Sequence, residues 1–291
     1  MSVKVILDTD IGTDIDDAIA LTYLLAKPEC ELLGITTVTG EPEKRAMLAS
    51  SLCKLAGKDI PVFPGAPDPL IIEQQQKLAG QADSLSKWPH KTEFPKAEAV
   101  EFLRKTIRKY PGEITLLTIG PLTNIGLLFA IDPEIPSMLK SLVMMCGYFE
   151  HKIEGWNKLE WNAKGDYHAS HIVYKANVPL HRSIGIDVTS QVVLSSAEFK
   201  DRFSLDIFKP LHDYAVHWYH HSDRVTFHDP LAAAVIFDES ICSFTKGDVS
   251  IEMNDKANLG LTHFKASLNG RHAIAASVDK EKFFKEYFSV F

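Results

Sequence analysis

Apolar positions along the first two-thirds of the chain come in two rhythms: short unbroken runs, and longer stretches with helical spacing. Residues 3–7 form a β-branched run that ends on polar Asp8, which predicts a buried strand. Residues 17–26 (DAIALTYLLA) carry apolar residues at helical spacing behind acidic ones, whose charge suits a helix N-terminus. The alternation continues with a strand over 32–38, a helix over 43–56 and a short strand at Val62 and Phe63. After a gap it resumes with a helix over 97–110, strands over 114–119 and 142–145, a helix over 168–175 and a strand over 180–184. In the gap, between Asp68 and Pro95, Gln, Pro, Lys and His dominate; so long an irregular stretch reads as a lid or binding loop. Beyond Ser195 the chain reads as more helical, with helices over 208–219 and 230–237 and a terminal helix from Asp279. Short strands are expected near Val249, Thr262 and Ala273.

Strands alternating with helices predict an α/β fold: a mostly parallel, open Rossmann-like central sheet with helices on both faces and a more helical C-terminal part. No repeat, low-complexity segment or linker interrupts the 291 residues, so the whole chain reads as one domain. Apolar residues make up 45% of it, enough for a sizeable core. A net charge of −7 removes the basic footprint that a nucleic-acid polymer requires, and favours a small polar ligand bound through a metal. No apolar run has the length of a membrane span, and the opening MSVKVILD leads directly into strand pattern without a signal peptide. Cys30, Cys53, Cys146 and Cys242 are scattered without metal-ligand spacing, as expected of reduced thiols in a cytosolic protein.

Candidate chemistry is concentrated where the first strand meets the first helix. Asp8, Asp10, Asp14, Asp16 and Asp17 place five carboxylates in ten residues, and such a group repels itself unless a cation or shared protons offset the charge. Oxygen donors of this kind suit calcium or magnesium rather than zinc. Other strand ends are positioned to join them: a Gly120-Pro121 turn leaves the Ile119 carbonyl at a rim, and 144–147 closes another strand. By themselves, His228 reads as a helix-start residue, Trp161 and Met144 as core, and Glu160-Trp161-Asn162 as a turn. Among His212, His217, His220 and His221, no acidic motif accompanies the i, i+4 pair His217 and His221, so these residues are expected to face solvent or line an outer pocket.

Taken together the motifs resemble the inosine-uridine-preferring nucleoside hydrolase family. Its opening strand, DxDxGxDD and apolar helix are matched by Asp8, Asp10, Gly12, Asp16 and Asp17, with Asp14-Ile15 as an apparent insertion. The resemblance continues through GIT at 34–36, GPLTN at 120–124, VMMxG at 143–147, Asn157, Glu160-Trp161-Asn162 and His228-Asp229-Pro230. It implies a calcium site made by Asp10, Asp17, the Ile119 carbonyl and Asp229, with Asp16 mainly holding a ribose hydroxyl. Asn157, Glu160 and Asn162 would grip the ribose, Met145 would pack beneath the sugar, and His228 would assist the departing base. Asp10 would act as general base for water attacking an oxocarbenium-like ribosyl centre. The resemblance further implies a small nucleoside substrate, a cytoplasmic location and a homo-oligomer, either dimer or tetramer.

Three departures from the pattern concern the ligand rather than the reaction. Glu41 stands where an Asn normally contacts ribose, Cys146 replaces the second Gly of MGG, and the usual HG-containing loop has no equivalent between Gln74 and His90. Two other readings compete. A haloacid-dehalogenase-type phosphatase would use Asp8 as nucleophile and Asp10 as acid. A nucleoside- or ribose-binding protein would keep the fold without turnover.

Overall fold

The computed structural model describes residues 2–149, 153–155, 158–219 and 222–291. In chain order the strands are β1 (Val3–Thr9), β2 (Cys30–Thr37), β3 (Val62–Pro64), β4 (Ile114–Thr118), β5 (Ser141–Met145) and β6 (His181–Ile184). They continue with β7 (Val193–Ser195), β8 (Arg224–Thr226), β9 (Cys242–Ile251), β10 (Thr262–Ala266) and β11 (His272–Val278). Nine of them form one sheet in the order β10-β9-β11-β6-β5-β4-β1-β2-β3, and β7 and β8 pair separately. From β3 to β6 and on to β11 every pairing is parallel; only β9 runs antiparallel to its neighbours β10 and β11.

Both faces of the parallel part are covered, which is why its strands are apolar without alternation. In β1, Val5 and Leu7 join the core on one face and Ile6 the core on the other; Leu117 and Leu116 in β4 divide the same way. A truncation such as Leu117→Ala in so enclosed a position costs about 2–5 kcal/mol. Helix α1 (Asp16–Ala26) is buried from Asp16 to Leu25 because the sheet, α2 (Pro42–Leu55) and the helix His228–Val235 enclose it. The helices Ala99–Lys109, Thr123–Ile131 and Tyr167–Lys175 contribute to the opposite face.

The order β3-β2-β1-β4-β5-β6 reverses direction between β1 and β4, the point where open α/β sheets form a ligand crevice beyond their strand C-termini. Asp10 comes directly after β1 and Ile119 directly after β4, so both stand on that crevice.

Parts of the chain differ from the sequence expectation. The helix Thr123–Ile131 is absent from the periodicity because TNIGLLFAI is apolar on almost every side and mostly buried, leaving no polar face to mark it. Near Val249 the strand is longer than the short one expected: β9 is ten residues long, and β9, β10 and β11 extend the main sheet. The segment from Asp68 to Pro95 is irregular, as expected, apart from a 3-10 helix at Gly80–Lys87, yet it is firmly packed. Buried Asp166 accepts hydrogen bonds from the Leu70 N–H (2.7 Å) and the Thr123 hydroxyl (2.8 Å), and Asp213 accepts from the Trp88 indole (3.0 Å). His212 bonds the Phe203 carbonyl at 2.6 Å; the side chain of His217, and His220 and His221, lie outside the described residues. Among the described residues, no helix is long and apolar enough to cross a membrane.

Candidate active site

A cavity of about 830 Å³ opens at the crevice, its wall including Asp10, Asp14, Asp16, Asp17, Asp229 and His228. Asp16 and Asp17 begin α1 and Asp229 begins the helix His228–Val235, so two helix N-termini bring these carboxylates together. Donor oxygens of Asp16, Asp17 and Asp229 lie within 4.8 Å of one another, a group that could hold a metal ion. The Asp229 N–H donates to Asp16 Oδ2 (3.2 Å) and the Thr9 hydroxyl to Asp17 Oδ1 (2.5 Å), fixing both side chains. This trio contains Asp16, expected at a ribose hydroxyl, and leaves out Asp10, expected as a direct ligand.

Asp10 is nevertheless part of the same site. Its carboxylate passes Gly120, where an added Cβ would lie 2.8 Å from Asp10 Oδ1 and 2.9 Å from Asp10 N; only glycine leaves room there. Burial pushes the carboxyls of Asp10, Asp14, Asp16, Asp17 and Asp229 above the usual carboxylate range; repulsion from neighbouring carboxylates adds to the rise for all but Asp10, and Asp16 is carried to about 7. The donor set therefore fits a divalent cation: buried oxygen ligands with more negative charge than neighbouring Arg45 offsets.

Asp8 does not belong to this group. It accepts from the Thr36 hydroxyl and from Asn124 Nδ2 (2.7 Å) within the sheet, its other oxygen has no partner, and burial pushes it up to about 7. Asp8 lies within β1 whereas Asp10 comes after the strand has ended, so alternation does not relate the two and their surroundings differ. A phosphatase nucleophile at Asp8 would have no access to the cavity, which removes that reading.

Across the cavity, Glu160 caps the short helix Trp161–Gly165. Its carboxylate accepts from the N–H groups of Asn162 (2.7 Å), Gly147 (2.9 Å) and Ala163 (2.8 Å), which oppose the upward push of burial. Asn162 Nδ2 donates to the carbonyls of Ile119 and Met145, both at 3.0 Å, leaving Oδ1 as an acceptor. Met145 lines the wall at the end of β5. His228 bonds the Thr189 hydroxyl through Nδ1 (2.6 Å), and burial pushes its imidazole down to about 4. Asn157 lies outside the described residues.

Glu41 is not among the wall residues, contrary to its expected place at the ribose. It sits at φ 57° ahead of α2, pairs with Lys44, and accepts the Ala79 N–H at 2.9 Å. Trp161, expected in the core, is 38% exposed and lines the cavity. Asp14 and the run Gln75 to Leu78 also reach the wall, although the resemblance gives them no role. Arg45 was missed too, although its fully buried side chain donates to the carbonyls of Gly40 (2.8 Å), Asp10, Ile11 (3.1 Å) and Leu78 (3.3 Å). Its signal was available: Arg45, Leu48, Ala49 and Leu52 form one helical stripe in which only Arg45 is charged.

An open α/β sheet with buried carboxylates at its switch point, facing the polar groups of Glu160 and Asn162, is a site that could hold a metal ion and suits hydrolytic chemistry. The model of the inosine-uridine preferring nucleoside hydrolase family matches residues 5–285, and the chain belongs to that family. Uridine nucleosidase 1 of Arabidopsis thaliana is 30% identical over 270 residues, covering 86% of this chain and 78% of the plant protein. The inosine-uridine preferring nucleoside hydrolase of Leishmania major is 30% identical over 302 residues, covering 96% and 94%. Among solved structures, a plant nucleoside hydrolase superposes with a TM-score of 0.87 at 25% identity, covering 100% of this chain and 99% of its own. A purine-preferring ribonucleoside hydrolase from Gardnerella vaginalis gives 0.85 at 25% identity, covering 99% and 97%. Both parts of the fold expectation that concern the sheet and its flanking helices hold, and the activity class is hydrolysis of the ribonucleoside N-glycosidic bond.

Proposed function

We propose that the cavity cleaves ribonucleosides to ribose and free base, with Asp10 as general base and with calcium held by Asp10, Asp17, Asp229 and the Ile119 carbonyl, Asp16 closing the set. The observation that carries this reading is the meeting of buried Asp10, Asp16, Asp17 and Asp229 with Glu160 and Asn162 around one cavity. When bound, the cation supplies positive charge that keeps these carboxylates ionised and orients water and ribose hydroxyls.

The residues of the chain do the rest. Glu160 and Asn162, braced by backbone hydrogen bonds, offer fixed acceptors to ribose hydroxyls, and this binding energy orients the anomeric carbon. Asp10 takes a proton from water as its oxygen bonds to the anomeric carbon. The glycosidic bond breaks with its electron pair passing to the base nitrogen. Carboxylates around the sugar stabilise the positive charge that develops on it. The base then takes up a proton. Burial keeps His228 neutral at pH 7; in the tautomer whose Nδ1 accepts from the Thr189 hydroxyl, its Nε2–H donates a hydrogen bond to the departing base, and the proton itself is drawn from water.

We read the chain as a single domain in a cytoplasmic homo-oligomer, dimer or tetramer. Four free, buried cysteines suit a reducing compartment, and light scattering in solution would measure the assembly. The activity test is release of reducing sugar from inosine, uridine, adenosine, guanosine and cytidine, with calcium and with a chelator. Asp10→Ala is expected to lower kcat by about 10²–10⁴-fold, and chelation to abolish turnover. Full activity of Asp10→Ala would remove the general-base assignment.

A further inference from the structure

The strap of chain that crosses the cavity between Gln74 and Ala79 departs from the family pattern, and so do its anchors. The Gln74 side chain fixes one end, donating to the Pro67 carbonyl (2.6 Å) and accepting from the Gln76 N–H (2.8 Å). Glu41 fixes the other by accepting the Ala79 N–H, and Arg45 donates to the Leu78 carbonyl. Gly40 allows the close approach: a Cβ there would lie 2.5 Å from the Lys77 carbonyl and 2.6 Å from that of Gln76. A segment anchored at both ends and pressed onto backbone is a wall of the site.

From this wall Gln76 reaches two ways. Its Nε2 donates to the Thr13 hydroxyl at 2.6 Å, its Oε1 accepts the Trp161 indole N–H at 2.7 Å, and it shares the cavity wall with Asp10. Thr13 belongs to the aspartate loop, and Trp161 is flanked in sequence by Glu160 and Asn162. One primary amide therefore spans the cavity from the carboxylate side to the ribose-facing side. Its NH2 group is held by Thr13, and its oxygen is fixed by the indole.

We propose that Gln76 is a positioning residue for the hydrolysis, locked between Trp161 and Thr13 so that it holds the aspartate loop, and Asp10 with it, in its attacking geometry. This rests on the reading of Asp10 as general base. The amide oxygen and nitrogen are not interchangeable in this role: accepting from the indole turns the NH2 group toward Thr13. Glutamate at this position would instead add a further negative charge to a cavity already lined by Asp10, Asp14, Asp16, Asp17 and Asp229. The structure also gives Glu41 and Arg45 a shared task with Gln76, since all three hold the strap against the aspartate loop.

The test compares the calcium-saturated wild type with Gln76→Met, Gln76→Glu, Trp161→Phe and the double variant Gln76→Met/Trp161→Phe, using inosine and uridine. Methionine keeps the length of glutamine without its hydrogen bonds. Gln76→Met is expected to lower kcat by about 10- to 100-fold with KM moving less than about threefold, as befits a misplaced reacting group. Gln76→Glu should be at least as impaired. The Trp161→Phe change should cost less than Gln76→Met, and the double variant should be no worse than Gln76→Met alone, because the indole acts through the amide. The emission difference between wild type and Trp161→Phe isolates Trp161, and Gln76→Met should change that contribution. The proposal is overturned by near-wild-type kcat in Gln76→Met, or by additive losses in the double variant with Trp161 emission unaltered. If Gln76→Met misfolds, near-wild-type kcat in Gln76→Glu overturns it equally. A wild type inactive on both nucleosides, or one indifferent to Asp10→Ala, defeats the underlying reading and the proposal with it; loss confined to the Gln76 variants supports both.

Discussion

His181 is a buried histidine that must fold uncharged, and replacing it should change how stability depends on pH. It begins β6, at the end of the sheet away from the cavity; only 2% of it is exposed, and neither ring nitrogen has a hydrogen-bond partner. Its ring stacks on Tyr174 (centroids 5.3 Å apart, planes at 12°) and meets His272 edge-on at 4.7 Å. Burial, reinforced by His272 and Arg271, drives its pKa well below the ordinary histidine value. The unfolded chain takes up this proton near pH 6.5 while the folded chain refuses it, so stability is whole above about 6.5 and falls below it. The slope is about 1.4 kcal/mol per pH unit for one proton, or about 2 kcal/mol between pH 6.5 and 5. His181→Phe keeps the aromatic stack and removes the titration. Urea unfolding of wild type and variant at pH 7.5, 6.5, 5.5 and 5.0 should show the variant gaining about 2 kcal/mol relative to wild type across the acidic range, with unchanged hydrolysis at pH 7.5. His272 adds a slope of its own in both proteins, because its Nδ1 accepts the Val249 N–H and cannot be protonated without losing that bond. Parallel pH profiles would mean that His181 is protonated in the folded state, which would refute the reasoning.

The packing of the site makes two further substitutions informative. Gly120→Ala should push Asp10 from its place and lower kcat by about 10²-fold while the melting temperature drops only modestly; an unchanged kcat would show that the aspartate does not need that space. Arg45→Met removes a buried guanidinium that ties Asp10, Ile11, Gly40 and Leu78 together, and should destabilise the fold by about 3–5 kcal/mol in denaturant titration; a loss under about 1 kcal/mol would refute a bracing role.

Where a residue's role is set by its immediate neighbours along the chain, the sequence was readable. Val5, Ile6 and Leu7 point to both faces of a covered sheet, so an unbroken apolar run was enough to place β1 at its centre. Asp16, Asp17 and Asp229 each open a helix, and a carboxylate at such a position leaves a plain mark. Thr123–Ile131 left none, because a helix buried on nearly every side has no polar face to reveal its period. The carboxylate run was misleading in one respect: proximity in sequence suggested five partners, but Asp8 lies inside β1, held by Thr36 and Asn124 away from the cavity.

The strap explains why the ligand-determining part of the site was harder to read than the reaction. Gln76 meets Trp161 across 85 residues and Thr13 across 63, and Glu41 meets Ala79 across 38; no local pattern encodes such pairs. Glu41 looked like an altered sugar contact because its neighbours in sequence belong to one. Its left-handed backbone conformation and the Ala79 N–H direct it to the strap instead. Two departures that seemed independent, a charged residue after Gly40 and an unfamiliar loop from Gln74 onward, are therefore halves of one contact. A glutamate that anchors the strap leaves the aspartates free to act, so the substitution changes how the cavity is walled without removing its chemistry.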